Sequence, residues 1–186
     1  MNSKTVTTMS IVGVIVSIIF IAVASYISSA NYGNTAENEI KAIWENNQNI
    51  LAQYTQKVQE AAQVPTMMKD DLKEVVTAAL SGRYGADGSK ATFQWLKEQN
   101  PTVDAQLYRK IQQIVEAGRD EFKMSQTRLI DAKRAYSTNL GYVWKGMWMR
   151  FAGYPRIDLE KYKAITNDYA DNAFKTGKES SPVKLR

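Results

Sequence analysis

The order of apolar and polar residues changes character once along the chain. No charged side chain occurs within residues 5–36, and residues 9–27 are almost wholly apolar. At a rise of about 1.5 Å per residue, that run makes a helix of about 28 Å, which suffices to cross the hydrocarbon core of a bilayer. The sequence after it places apolar residues three and four positions apart, as on one face of a helix. The pattern predicts an all-α protein with a transmembrane anchor at residues 9–29.

The apolar run could instead be the core of a signal peptide that is removed. Such a core is usually about 7–15 residues long, which is shorter than this run. The triplet Ala22-Val23-Ala24 offers a small-x-small cleavage pattern, so a cleaved signal stays an alternative. Because apolar sequence continues past these alanines, we expect the segment to be retained.

The charges on either side of the run predict its orientation. Lys4 and the amino terminus precede it within residues 1–8, whereas Glu37 and Glu39 are the first charges that follow. The positive-inside rule then predicts that the N-terminus lies in the cytoplasm and that the rest of the chain lies outside it.

Residues 30–35 are predicted to connect the anchor to the first water-facing helix. Asn34, followed three residues later by Glu37, is typical of a capping box, in which Asn34 takes the N-cap position. Gly33 could bend the path between the two helices. The alternative is one unbroken helix through Gly33, at a cost of about 1 kcal/mol for the glycine.

Four helices with narrow apolar stripes are predicted beyond the connector. They cover residues 37–64, 67–80, 91–99 and 103–140, and a glycine-rich loop is predicted at residues 81–90. The stripe of the first predicted helix consists of Ile40, Ile43, Ile50, Tyr54, Val58 and Ala61, with Asn47 in line with them. Because such helices must share a core to be stable in water, we expect an antiparallel four-helix bundle at residues 36–162.

Residues 163–186 are predicted to form a polar, basic tail. Four of the cations lie within residues 175–186 against the single carboxylate of Glu179, in a chain whose net charge is only +5. A frayed terminus is the simpler interpretation, and attraction to anionic lipid or another polyanion is the alternative.

Small residues recur every seven positions on the longest predicted helix, at Gly118, Ser125 and Ala132. Small side chains let a neighbouring helix approach closely. The neighbour could belong to the same chain or to a second copy, so these three residues are candidates for a self-association surface as well as for ordinary packing.

Residues 141–156 combine aromatic and basic side chains in a way that a plain bundle does not require. The aromatic residues are Tyr142, Trp144, Trp148, Phe151 and Tyr154. An aromatic cap on one end of the bundle would explain them. Aromatic rings with nearby cations are also typical of a membrane interface, and a binding site for a partner protein is a third interpretation.

The composition excludes much enzyme chemistry. Among its 186 residues the chain has no cysteine and no histidine, so it lacks a thiol nucleophile and the commonest proton shuttle and metal ligand. The adjacent carboxylates, such as Asp70 and Asp71, diverge on a helix, and no phosphate-binding loop or basic-aromatic stripe for nucleic acid is present. We predict no catalytic, cofactor or metal site and no nucleic-acid partner.

Three segments give the chain a resemblance to the LemA family of membrane-anchored bacterial proteins. After the apolar run, residues 36–62 (AENEIKAIWENNQNILAQYTQKVQEAA) resemble the first helix of that family, with Ile43-Trp44 in place of its alanine-tryptophan pair. Residues 107–141 are similar to its long helix, and residues 150–162 (RFAGYPRIDLEKY) to its closing Pro-Arg segment. The family's Asp-Leu-Ile-Pro-Asn-Leu-Val segment is absent, which indicates a divergent member, encoded by a bacterium or by a phage.

The resemblance implies a single-pass anchor in the bacterial inner membrane and a helical bundle outside the cytoplasm, with no established activity. Together with the residue patterns, it predicts a non-enzymatic scaffold that contacts the bilayer through residues 9–29 and binds other envelope proteins or copies of itself. Two alternatives remain from the sequence. One is binding or remodelling of the membrane surface by residues 141–156, and the other is an envelope enzyme that uses carboxylates of the bundle.

Overall fold

The computed structural model describes residues 3–63, 69–82, 87–99 and 105–165, and the regular structure within these ranges is helical throughout. The helices are α1 (Ser3–Ala62), α2 (Lys69–Leu80), α3 (Gly88–Gln99), α4 (Ala105–Gly141) and α5 (Val143–Phe151), followed by a single 3-10 turn at Leu159–Lys161. The predicted all-α class is confirmed, with no strand among the described residues.

Helix α1 runs without a break through the predicted connector. Residues 30–35 are helical, so Asn34 is not an N-cap and the predicted capping box is wrong. The alternative of an unbroken helix through Gly33 is confirmed. The glycine allows a close contact rather than a bend, since a Cβ atom at position 33 would lie 2.6 Å from the ring of Tyr154.

The glycine-rich loop is shorter than predicted. Helix α3 begins at Gly88 rather than at residue 91, and the hydroxyl of Thr92 donates a hydrogen bond of 2.9 Å to the carbonyl of Gly88. A Cβ atom on Gly88 would lie 3.1 Å from the carbonyl oxygen of Ala79, so the missing side chain lets the first turn of α3 approach α2. The predicted break at residues 100–102 and the tail from residue 166 onward lie outside the described residues.

The chain divides into two compact units. The first comprises Met1–Lys41 and Asp131–Tyr162, and the second comprises Ala42–Ile130 and Lys163–Arg186. Long helices α1 and α4 each contribute to both units.

The second unit contains a continuous apolar core. It is formed by Ile50, Leu51, Tyr54, Val58, Ala62, Leu72, Val76, Ala79, Leu80, Leu96, Ile111, Val115 and Phe122. Ile50, Tyr54 and Val58 follow the predicted stripe of the first helix, because steps of four residues place them on one face. Asn47 is also buried, and neither polar atom of its side chain has a hydrogen-bond partner within the described chain.

The first unit is held together around Tyr136, which is fully buried. Ile40 and Met149 are fully buried in the same unit, and Tyr154 is buried where it packs on Gly33. The side chain of Asn139 donates a hydrogen bond of 2.7 Å to the hydroxyl of Tyr32. These contacts connect α1, the end of α4, α5 and the segment after α5 within the unit.

Candidate functional site

The first candidate site is the apolar run of α1. Among the described residues, one helix is long and apolar enough to cross a membrane, and none of its most apolar 18-residue window is buried in the protein; the mean hydropathy of that window is 2.6. Large apolar side chains are exposed all around this part of the helix, including Ile15, Ile19 and Phe20. A helix that is apolar on every side needs an apolar surrounding.

Two hydroxyls inside the run form hydrogen bonds with their own helix. The hydroxyl of Ser10 donates to the carbonyl of Val6 at 3.0 Å, and that of Ser17 donates to the carbonyl of Gly13 at 2.9 Å. In a bilayer, every polar group must find its partner within the protein, and these hydroxyls do so on their own helix. Ser10 and Ser17 are therefore compatible with a lipid surrounding.

Packing against the rest of the first unit begins where the apolar run ends. Ser29 is the first residue of α1 that is buried, and Gly33, Ala36 and Glu37 follow on the same side of the helix. Three residues before Ser29, the ring of Tyr26 already contacts Trp148 and Phe151 of the same unit.

The second candidate site is an aromatic cluster of Tyr26, Trp144, Trp148 and Phe151 in the first unit. The ring of Tyr26 lies edge-on to those of Trp148 and Phe151, with centroids 6.2 and 6.0 Å apart. Trp148 in turn contacts Trp144 at 5.7 Å. Edge-to-face pairs at such distances are mutually stabilising. The cluster joins α5 to the last turns of the apolar run.

Helix α5 presents one apolar face to the protein and another to the outside. Gly146 and Met149 are buried, whereas Val143 is 89% exposed and Phe151 is 78% exposed. Trp144 and Met147 extend the outer face. Tyr142 is exposed at the start of the helix, whereas Tyr154 is buried against Gly33 and lies apart from the outer face of α5.

The cationic side chains of α5 contact other groups of the first unit. The ammonium group of Lys145 lies 3.4 Å from the centroid of the Tyr32 ring, and the guanidinium of Arg150 donates a hydrogen bond of 3.0 Å to the carbonyl of Leu140. That carbonyl belongs to the last turn of α4, where helix carbonyls lack intrahelical partners. Arg150 therefore fixes α5 to the end of α4.

The small residues of α4 pack within the chain. A Cβ atom on Gly118 would lie 2.7 Å from the ring of Tyr54 and 2.8 Å from Leu80. Ser125 is buried and accepts a hydrogen bond of 3.3 Å from the side chain of Asn46, while Ala132 is half-buried. Gly118 and Ser125 thus follow the intramolecular interpretation of the heptad spacing.

Replacing Gly118 by leucine is expected to lower the free energy of unfolding by about 2–3 kcal/mol, because the new side chain has no room beside the Tyr54 ring. Gly141→Leu is the matched control at the end of the same helix, where a Cβ atom would meet nothing within 4 Å. Chemical unfolding in detergent, followed by circular dichroism, measures both. Equal stability of the two variants would contradict the packing role of Gly118.

A buried carboxylate that the sequence did not indicate lies at the centre of the first unit. Glu37 is only 4% exposed, and its Oε1 atom accepts hydrogen bonds from the hydroxyl of Tyr136 at 2.5 Å and from the backbone N–H of Arg156 at 2.7 Å. Burial, and then the hydrogen bond and charge of Glu37, raise the pKa of Tyr136 above its usual range. These bonds connect α1, α4 and the segment after α5.

A comparable pair lies in the second unit, where the hydroxyl of Tyr54 donates a hydrogen bond of 2.8 Å to Glu121. Burial, and then the hydrogen bond and charge of Glu121, raise the pKa of Tyr54 to about 12. In both pairs the raised pKa keeps the proton on the tyrosine near neutral pH.

The raised pKa of Tyr54 predicts a loss of stability at alkaline pH. The folded state holds the phenolic proton more tightly than the unfolded chain, so the stabilisation is complete below about pH 10 and is lost as the pH rises through about 12. Between those limits the wild-type free energy of unfolding should fall by about 2 kcal/mol more than that of Tyr54→Phe. Denaturant titrations at several pH values measure this difference, and parallel profiles for the two proteins would contradict it.

One open depression in the second unit has a volume of about 570 Å³. Glu116, Arg119, Asp120 and Lys123 from α4 line it, together with residues that follow α2. Charges of both signs alternate along this lining, as expected of a solvated helix face. Among the described residues, no group of three acidic side chains converges closely enough to hold a metal ion.

No protein-family model matches the chain, and no curated protein or solved structure shows significant similarity to it. The resemblance to the LemA family therefore depends on the apolar run and residues 36–62, 107–141 and 150–162 alone.

Proposed function

We propose that this protein is a single-pass membrane protein whose helical domain acts as a non-enzymatic scaffold at the membrane surface. The observation that carries the proposal is the apolar run of α1, whose most apolar 18-residue window is not buried by any described part of the chain. A helix that is apolar on all sides over about 30 Å matches the thickness and polarity of the hydrocarbon core of a bilayer. The anchor confines the domain near the bilayer and raises its effective concentration there for any membrane-bound partner.

The helical domain is proposed to be an antiparallel bundle of the LemA type. The order of contacts between α1 and α4 supports this arrangement within each unit. In the first unit, Tyr32 bonds to Asn139 and Glu37 bonds to Tyr136. Later residues of α1 thus contact earlier residues of α4, as in an antiparallel pair of helices. In the second unit, Asn46 bonds to Ser125 and Tyr54 bonds to Glu121, in the same order.

The same proposal places the N-terminus in the cytoplasm and the helical domain outside the cytoplasmic membrane of a bacterium. Lys4 before the apolar run and the acidic residues Glu37 and Glu39 after it support this orientation. The LemA resemblance supports the compartment.

A scaffolding role is preferred to an enzymatic one because of how the ionisable groups are used. The two buried pairs, Tyr136 with Glu37 and Tyr54 with Glu121, tie helices together. The chain also lacks histidine and cysteine, the side chains that most often carry acid-base and nucleophilic catalysis near neutral pH.

Single-cysteine crosslinking tests whether the scaffold assembles with itself. The chain has no native cysteine, so Met124→Cys introduces one thiol on an exposed position of α4. We expect disulfide-linked dimers in native membranes, and few from Gln94→Cys on the exposed side of α3. A monomeric mass in lipid nanodiscs, with no crosslink at either position, would contradict self-assembly.

A further inference from the structure

The outer face of α5 is apolar and largely exposed within the described chain. Its main members, Val143, Met147 and Phe151, recur every four residues and are 46–89% exposed. Trp144 widens the face and is 55% exposed. Four large side chains on one short helix form a contiguous apolar surface, and such surfaces mark contact sites.

The position of this face relative to the apolar run indicates what covers it. Tyr26 lies three residues before Ser29, the first buried residue of α1, and its ring contacts both Trp148 and Phe151. The face of α5 is therefore continuous with the end of the surface that requires lipid. Tyrosine and tryptophan are enriched where the hydrocarbon core meets the headgroups.

The positions of the cations on α5 agree with a location of its outer face at the boundary between the hydrocarbon core and the headgroups. Lys145 and Arg150 both contact groups of the first unit, since Lys145 lies over the Tyr32 ring and Arg150 donates to the carbonyl of Leu140. The face itself carries no charged side chain at positions 143, 144, 147 and 151. An amphipathic helix of this kind lies in the plane of the interface with its apolar side towards the acyl chains.

We propose that α5 is an interfacial helix that binds the headgroup–acyl boundary of the bilayer crossed by α1, with the aromatic cluster as its anchor. The inference rests on the proposed membrane anchoring of α1 and adds a second, lateral contact with the same membrane. Two contacts fix the tilt of α1 and the orientation of the first unit, which one spanning helix alone leaves free. Lipid is favoured over a protein partner because the surface of α5 continues the surface of the apolar run.

Tryptophan quenching by brominated lipid tests the proposal on the full chain. The four tryptophans are Trp44, Trp95, Trp144 and Trp148. Variants that keep one tryptophan each, with phenylalanine at the other three positions, are reconstituted in phosphatidylcholine–phosphatidylglycerol vesicles and recovered by flotation. Phosphatidylcholine brominated high on its acyl chains then replaces the ordinary lipid.

We expect the fluorescence of the Trp144 and Trp148 variants to fall at least about twofold, since bromine quenches only at close range and aromatic residues of the interface lie at this depth. The variant that keeps Trp95 is the control, because that ring packs against the core of the second unit. The wild-type chain provides a measurement without any effect of substitution on folding. It should lose about half of its fluorescence, because two of its four tryptophans are expected to be quenched.

The outcomes separate the two proposals. Floated protein whose Trp144 and Trp148 are quenched no more than Trp95 would overturn the interfacial role of α5 and leave the anchor intact. A chain that does not float with the vesicles would overturn both the anchor and the interfacial helix.

Discussion

Replacing Ile15 and Ile19 together by arginine is expected to release the protein from the membrane. Both residues lie near the middle of the apolar run, are four positions apart on one side of α1, and are 50% and 57% exposed. Near the centre of a spanning helix, exchange of isoleucine for arginine costs about 3 kcal/mol, so the pair costs about 6 kcal/mol. The distribution of the protein between washed membranes and the soluble fraction measures the effect.

Met124 and Ile130 provide the matched control, since they are 53% and 47% exposed on α4 and have a similar size. Their replacement by arginine places the same charges on a part of the chain that we propose to lie outside the bilayer. Membrane association of this control should equal that of the wild type. If the Ile15 and Ile19 variant stayed in the membrane as completely as the control, α1 would not be the anchor.

Replacing Glu37 by alanine is expected to lower the free energy of unfolding by about 3–5 kcal/mol. The change leaves the buried hydroxyl of Tyr136 and the backbone N–H of Arg156 without their acceptor, and each such loss costs about 1–3 kcal/mol. The space vacated by the side chain adds a cavity cost. Thermal and chemical unfolding of the detergent-solubilised protein measure the change.

Glu39→Ala is the control for that substitution, since Glu39 is exposed on the same helix two residues further on. It should change the free energy of unfolding by less than about 0.5 kcal/mol. Tyr136→Phe should fall between the two, because it removes one of the hydrogen bonds and keeps the ring. Equal stability of the Glu37 and Glu39 variants would show that the buried network contributes nothing to the fold.

The sequence predicted the helices well because their signal is local. Steps of four residues place Ile50, Tyr54 and Val58 on one face of α1, and all three are buried in the second unit. The apolar run was equally clear, since its length and lack of charge need no knowledge of the rest of the chain.

The sequence could not predict the role of Glu37, because that role depends on residues that are distant along the chain. Asn34 and Glu37 match the spacing of a capping box, a pattern defined within four residues. The partners that bury Glu37 are Tyr136 and Arg156, which are 99 and 119 positions away. A pattern within four residues contains no information about these partners. The sequence alone therefore favours the capping box, which the structure shows to be wrong.

The structural roles of the glycines are ambiguous in the sequence, because they too depend on residues that are distant along the chain. Gly33 and Gly88 were expected to mark a bend and a loop, yet each lies in a helix where another part of the chain comes close. Glycine serves both purposes, by freeing the backbone and by removing a side chain, and only the neighbour in space decides between them. Gly118 was open to both intramolecular and intermolecular packing, and Tyr54 occupies the space beside it.

The central claim is that the chain keeps its apolar run and is held in the membrane by it. The most direct measurement is the intact mass of the protein in alkali-washed membranes from cells that express the full sequence. We predict a membrane-bound species with the full mass of 21.0 kDa. A soluble protein of full mass, or one shortened by cleavage near Ala24, would contradict the account.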